Sequence, residues 1–140
     1  MNMNLDEIYN LFIWDESYSE EEYVSRESRG IAEASKLKNI YPFIRPVIIP
    51  PEKSKSVWDS CAKAVALKSD DELTPYLYLL LEWLRDMNWP GAEIIFDRLG
   101  KIPFSKIVQQ VEFCIGCAKR ENDRSWMDTL EALKEHRQWH

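Results

Sequence analysis

The amino-acid sequence predicts an all-α protein built of antiparallel helical hairpins. Three observations carry that prediction. Apolar residues recur at i, i+3, i+4 and i+7 in segment after segment, the spacing of one helix face. Capping patterns open several of these segments: Asn4 with Glu7, Ser19 with Glu22, and Ser69 with Glu72. Prolines stand between the segments, where a residue without an amide donor interrupts a helix or begins one.

In chain order, the first helix is expected over about 6–13, with Leu5, Ile8, Tyr9 and Phe12 on one face. The second begins after Ser19, where Glu20, Glu21 and Glu22 set three carboxylates against the positive end of the helix. Ile31, Ala34 and Leu37 continue its pattern, and Gly30 is a potential break. Pro42, Pro46, Pro50 and Pro51 then punctuate residues 41–51, which predicts an extended connector lying against the core through Val47, Ile48 and Ile49. A short edge strand is the competing reading there. A third helix is expected over 52–68, with Val57, Trp58, Cys61, Ala64 and Val65 on one face. Pro75 is placed at the start of a helix over 75–86, striped by Leu77, Leu80, Leu81 and Leu84. Asn88-Trp89-Pro90 breaks the chain, and Pro90 starts a helix over 90–99 that carries Ile94, Ile95, Phe96 and Leu99 and ends on a glycine cap at Gly100. Pro103 opens a helix over 103–119 with Ile107, Val108, Val111, Cys114, Ile115 and Ala118 inward. Asn122 or Asp123 caps the last, with Trp126, Met127, Leu130 and Leu133.

Short breaks imply antiparallel neighbours, so 75–86 is expected to pair with 90–99, and 103–119 with 123–138. Stacked pairs of this kind form a short HEAT-like solenoid or an irregular bundle. At 140 residues and 16.6 kDa, the chain is expected to form a single helical domain. An acidic N-terminal helical region spans 1–40, the Pro-rich connector 41–51 and the helical core 52–140.

Composition narrows the function classes. Hydrophobic residues make up 45% and charged residues 30%, ordinary for a globular protein. Net charge is −6, against the basic surface that phosphate contacts require, so no nucleic-acid partner is expected. No apolar run is long enough to span a bilayer, and the N-terminus lacks a secretion signal. Three cysteines make no disulfide framework. These features predict a cytoplasmic protein without a membrane partner.

The charge is unevenly placed. No Lys or Arg precedes Arg26, whereas Asp6, Glu7, Asp15, Glu16, Glu20, Glu21 and Glu22 all do. The remaining 17 acidic residues face all 18 basic ones, so a nearly neutral body follows an acidic start. Aromatic residues are interleaved with that start. Tyr and Trp supply rigid amphipathic contact area, and clustered carboxylates steer a basic partner. Trp14, Asp15, Glu16, Tyr18, Glu20, Glu21, Glu22 and Tyr23 are therefore the candidate partner-binding residues. The plainer reading is a solvated acidic helix with its aromatic residues turned into the core.

Catalytic and metal patterns are thin. Cys114 and Cys117 precede His136 and His140 in a C-x2-C, H-x3-H order, but the cysteines fall within an expected amphipathic helix with no turn to wrap both sulfurs around one ion. The same pair lacks the βαβ setting of a redox motif and is read as core packing. Neither a P-loop nor G-x-S-x-G nor H-E-x-x-H occurs. No enzyme activity, metal or cofactor is expected.

The stretch Leu81-Glu82-Trp83-Leu84-Arg85-Asp86-Met87-Asn88-Trp89-Pro90-Gly91-Ala92 resembles the LEWLxDxNWPxA core of a bacterial family of small all-helical, HEAT-like domains of unknown function. Ser69-Asp70-Asp71-Glu72-Leu73-Thr74-Pro75-Tyr76 is similar to the segment preceding that core, and the likeness covers roughly residues 55–120. Such domains occur among immunity proteins of polymorphic-toxin and contact-dependent growth inhibition systems. The resemblance implies a non-enzymatic protein that binds and neutralises a cognate toxin domain by occlusion. An adaptor for a different cellular partner is the alternative. Trp83, Asn88, Trp89 and Pro90 match the pattern and are read as hairpin-building residues.

Overall fold

A computed structural model of the chain describes residues 3–46 and 55–138, the side chains of 136–138 excepted. Every regular element among these residues is helical. α1 (Leu5–Phe12) starts at Asn4, whose side chain accepts from the Glu7 amide while Glu7 reaches back to the Asn4 amide. α2 (Glu20–Ser35) starts at Ser19, whose hydroxyl accepts from the Glu22 amide.

Gly30 does not break α2. A Cβ there would lie 2.5 Å from Cε1 of Phe12, so the missing side chain is what lets the two helices close on each other. Lys68 secures the far end of α2 by donating to the carbonyls of Ser35 and Leu37, at 3.0 and 2.9 Å.

The connector differs from the expectation where it is described. Tyr41–Phe43 forms a 3-10 turn instead of extended chain, and Tyr9 on α1 donates its hydroxyl to the Pro42 carbonyl. Ile40, Phe43 and Ile44 are buried, so this part does lie against the core. Val47, Ile48, Ile49, Pro50 and Pro51, with the competing edge-strand reading, lie outside the described residues.

α3 (Lys55–Ala66) buries Val57, Trp58, Cys61, Ala64 and Val65 as its stripe predicts. The Ser69 capping box opens a single turn, α4 (Asp70–Leu73). The helix expected from Pro75 is shorter at both ends. Proline cannot supply the next amide of the ladder, so Thr74–Tyr76 tightens into a 3-10 turn and α5 spans Leu77–Trp83. An Asx turn follows, in which Asp86 Oδ1 accepts from the Asn88 amide at 2.9 Å.

α6 (Ala92–Leu99) starts two residues later than Pro90 suggested. Gly91 precedes it at φ 83, and a Cβ there would meet Ala62 Cβ at 2.7 Å and Trp83 Cζ2 at 2.9 Å. Arg98 on α6 closes the end of α3, donating to the carbonyls of Ala66 and Lys68 and to Asp70. Gly100 follows α6 in right-handed conformation (φ −63), so the expected left-handed glycine cap is not formed.

α7 (Phe104–Arg120) and α8 (Arg124–Gln138) form the hairpin that the sequence predicts. Its turn is compact. Asn122 takes a left-handed φ of 55, the amides of Asn122 and Asp123 bond back to Lys119 and Ala118, and Asp123 Oδ1 then accepts from Trp126 N. The other expected pair is not the principal packing. α6 lies chiefly on α3 and α5 chiefly on α7: residues 84–91 part α6 from α5, while Gly91 against Ala62 and Arg98 at the end of α3 hold it to α3.

Tryptophans join these layers. Trp58 meets Trp83 and Trp89 edge-on, each with ring centroids 6.0 Å apart. The buried indoles of Trp58, Trp83 and Trp126 donate to the carbonyls of Pro46, Pro90 and Leu81. A ring that would strand a polar N–H in the core instead ties a loop or helix end to it.

Candidate functional site

The loop joining α1 to α2 carries the candidate residues. Asp15 accepts the Ser17 amide on its side chain at 2.8 Å and the Tyr18 amide on its carbonyl at 3.0 Å, folding residues 15–18 into a turn. Those bonds to Ser17, working against burial, hold the Asp15 carboxyl below its usual range. The loop is also pinned from outside, because the Trp14 amide donates to Ser56 Oγ on α3 at 2.8 Å. Its backbone is thus positioned while its side chains project.

The eight candidates divide. Trp14 is 56% exposed, and Asp15, Glu16, Glu20, Glu21 and Glu22 are all exposed around it in the chain. Tyr18 is half-buried beneath Arg26, whose guanidinium carbon lies 4.8 Å from the ring centroid. Tyr23 is half-buried, with its hydroxyl 3.5 Å from Ser60 Oγ. Tyr9 and Phe12 of the same segment belong to the core. The surface is therefore Trp14 and the carboxylates, with Tyr18 at its edge and Tyr23 on its supporting side.

Two apolar members escaped the sequence reading. Ile13 is 43% exposed, because α1 ends at Phe12 and the chain leaves the helical face one residue early. Val24 is 51% exposed on α2, one helical turn beyond Glu20 and Glu21. That i, i+3, i+4 relation was its available signal. Arg26 was also missed. It donates to the Asn10 carbonyl at 3.2 Å, so the first cation in the chain closes the end of α1.

Behind Tyr23 lies a polar cluster between α2 and α3. Ser60-Cys61-Ala62-Lys63 has S-x-x-K spacing, Ser60 donates to the buried Glu27 carboxylate, and Lys63 Nζ lies 3.2 Å from both Glu27 oxygens. Burial pulls the Lys63 amine down, but the hydrogen bond and charge of Glu27 outweigh it and hold its pKa above the usual value. A nucleophile and a base share an acceptor here, yet Ser60 is 0% exposed and meets no solvent. The arrangement serves to satisfy Glu27 between α2 and α3.

Cys114 is buried, which pushes its thiol up to about 12, and Cys117 is half-buried with Arg120 Nη2 3.2 Å from its sulfur. No group of three His, Cys, Asp or Glu side chains placed to hold a metal occurs among the described residues. His140 and the side chain of His136 lie outside them. No helix of the described residues is long and apolar enough to cross a membrane. A second exposed aromatic pair, Tyr78 on α5 and Phe113 on α7, stacks edge-on with centroids 5.4 Å apart.

No curated protein and no solved structure matches the chain. A family model does match, over residues 49–138, which takes in α3 to α8 and leaves the α1–α2 hairpin outside. The chain belongs to the family described as domain of unknown function DUF5071.

Proposed function

We propose that this is a non-enzymatic binding protein of the immunity type, cytoplasmic, which neutralises a cognate bacterial toxin domain by occluding a basic surface. One observation carries the reading: Trp14 stands exposed on a pinned loop with Ile13 before it, Val24 on the following helix, and five exposed carboxylates between and beside them. An apolar centre with a charged rim is the anatomy of a protein interface, and its sign selects a cationic partner. The helical body is the platform. The α7–α8 hairpin is a unit of the kind that a short HEAT-like solenoid stacks, and it is what supports that description of the body. The toxin association rests further on the resemblance of residues 81–92 to a core found among immunity proteins.

The test is kinetic. The wild-type chain and the triple variant Asp15→Lys, Glu16→Lys, Glu21→Lys are compared for association with candidate toxin domains from neighbouring gene products, across a salt series. The expected result is an on-rate at least about tenfold lower in the variant, with a flatter salt dependence. Equal on-rates and equal salt slopes would overturn the acidic-loop interface. The alternative, an adaptor for a different cellular partner, draws on the exposed Tyr78–Phe113 pair. It is favoured if Phe113→Ala abolishes binding of a partner that the loop variant still holds.

A further inference from the structure

We propose that the outward row of α7 docks an acidic amphipathic helix of a partner protein, seated on Phe113, Gly116 and Arg120. This face lies on α7 and its seam with α5, and it shares no residue with the acidic loop. Its sign is the opposite one, so the two surfaces select different partners.

Three observations meet there. The first is an aromatic pair with no place in the core. Tyr78 and Phe113 are both exposed, and they stack edge-on across the α5–α7 seam with centroids 5.4 Å apart. Stacking holds the rings in place before a partner arrives, so less freedom is lost on binding. The second is a glycine that the fold does not use. Gly30 and Gly91 sit where a Cβ would collide, at 2.5 and 2.7 Å, and packing explains both. Gly116 lies within α7, where glycine weakens a helix relative to alanine, yet a Cβ there would meet only Arg120 Nη1, at 3.6 Å. Bare backbone one turn from Phe113 lets a second helix approach closely. The third is a cation without a carboxylate. Arg120 folds back along its own helix, with Nη2 3.2 Å from Cys117 Sγ, and makes no ion pair among the described residues. The adjacent Glu121 is taken by Arg85 at 2.7 Å.

The row decides the partner class. Lys106 and Arg120 stand seven residues to either side of Phe113, two turns each way along one helix face. Gln109, Gln110, Gly116 and Cys117 fall between them, so the row holds no carboxylate and ends on a cation in both directions. Glu112, the acidic residue of α7, is turned to α8, where Lys134 binds it at 2.5 Å. Across the seam, Glu82 is held by Arg45 at 3.1 Å. An apolar centre with cationic ends matches a helix whose apolar stripe is flanked by Asp or Glu. Two cations about 21 Å apart along the axis are too sparse for a phosphate backbone. An added strand has no sheet edge to join, since every regular element among the described residues is helical.

The full chain is titrated with a synthetic helix of roughly 15 residues, with Leu at i, i+3, i+4 and i+7 and Glu beside that stripe. Two counterparts carry Lys in place of each Glu, or Ser in place of each Leu. Binding is read by amide NMR shifts, and self-association by sedimentation over a concentration series. The expected result is saturable binding of the acidic helix, with the largest shifts at Phe113, Gly116, Cys117 and Arg120. Both counterparts should bind at those amides at least about tenfold more weakly. Gly116→Gln fills the approach while improving the helix, and it should weaken the acidic helix at least about tenfold, as should Phe113→Ser. Arg120→Glu should turn the preference toward the Lys counterpart. Equal binding of the acidic and basic helices at these amides, no shift there at millimolar peptide, or undiminished binding by Gly116→Gln and Phe113→Ser would each overturn the proposal. Self-association that Phe113→Ser abolishes would also overturn it, because the face would then belong to a second copy. Toxin binding by Phe113→Ser separates this result from the acidic-loop reading, which predicts no change.

Discussion

The two terminal hairpins solve the same packing problem with different turns. α7 and α8 are joined through Glu121, Asn122 and Asp123, whose polar groups are taken up by the fold. Asp123 both ends one helix and caps the next, while Arg85 reaches over to Glu121 at 2.7 Å and covers the Trp126 ring at 3.8 Å. α1 and α2 are joined by residues 13–19, a longer link whose Trp14 side chain lies largely in solvent. One turn bonds its backbone and its Glu121 and Asp123 carboxylates into the fold. The other holds its backbone in place through Asp15 and Ser56 and leaves its side chains for something else. Surplus exposed apolar area on an otherwise positioned loop is what distinguishes a recognition surface from a connection.

The largest expected effect lies in the C-terminal hairpin. Trp126 is buried, its indole bonds the Leu81 carbonyl at 3.0 Å, and Arg85 stacks on it. Trp126→Ala should cost about 3–5 kcal/mol in chemical denaturation, the range for removing a large core aromatic. A loss under about 1 kcal/mol would show that this hairpin is not anchored through its tryptophan.

The glycines sharpen the contrast because the same substitution should change sign between the two hairpins. In α2, Gly30→Ala places a methyl 2.5 Å from the buried Phe12 ring, and overpacking of this kind costs about 1–3 kcal/mol, more than the helix propensity of alanine returns. In α7, a Cβ on Gly116 meets only Arg120 Nη1, at 3.6 Å and on a flexible side chain. Gly116→Ala should therefore stabilise by about 0.5–1 kcal/mol. Denaturant midpoints moving in the same direction for both variants would remove the claim that α1 and α2 close through Gly30.

Alkaline titration reads the buried protons of both halves. Burial pushes the Tyr9 hydroxyl from 10 to about 12, with the Asp6 charge adding to it, and burial likewise pushes Cys114 from 9 to about 12. Both groups hold their protons more tightly when folded. Their contribution is complete below the unfolded values and is lost as pH rises toward 12. Loss should begin near pH 9 through Cys114 on α7 and Cys61 on α3, whose thiol burial also pushes up, and be joined above pH 10 by Tyr9. Cys114→Ala should reduce the earlier part of the decline, with Cys61 retaining the rest, and Tyr9→Phe should reduce the later part, as read from denaturant midpoints against pH. Unaltered profiles would show that neither group titrates with unfolding.

What could be read from the sequence follows the range of the interactions. The Asn4 and Ser69 capping boxes, the buried faces of α3 and α7, and the α7–α8 hairpin are local, set by residues three to seven apart or by one short turn. The partners of α5 and α6 were not legible, since a short break between expected helices says that they are neighbours in the chain and nothing about which faces meet. Gly30 shows the same limit: its propensity argues for a break, and only Phe12, eighteen positions away, explains its place in an unbroken helix. At the site, charge was legible because carboxylates in so dense a run must be solvated. The orientation of the rings was not. Trp14, Tyr18 and Tyr23 look alike in sequence and end as surface, edge and support, whereas Tyr9 takes the core place its helical spacing predicts.

The smallest expected effect on stability is the most informative about that loop. Trp14→Ala removes a ring that is already 56% exposed, while the amide that bonds Ser56 remains, so the fold should change by no more than about 0.5 kcal/mol. Partner binding should fall much further, since tryptophans at interface centres carry losses of about 2 kcal/mol or more when truncated, a factor of roughly thirty in affinity. The two measurements must diverge. If Trp14→Ala destabilises the chain as a core tryptophan would, the ring belongs to the fold and the contrast between the hairpins disappears. If it leaves both stability and binding unchanged, the carboxylates alone steer the partner, and the contact lies elsewhere on the helical body.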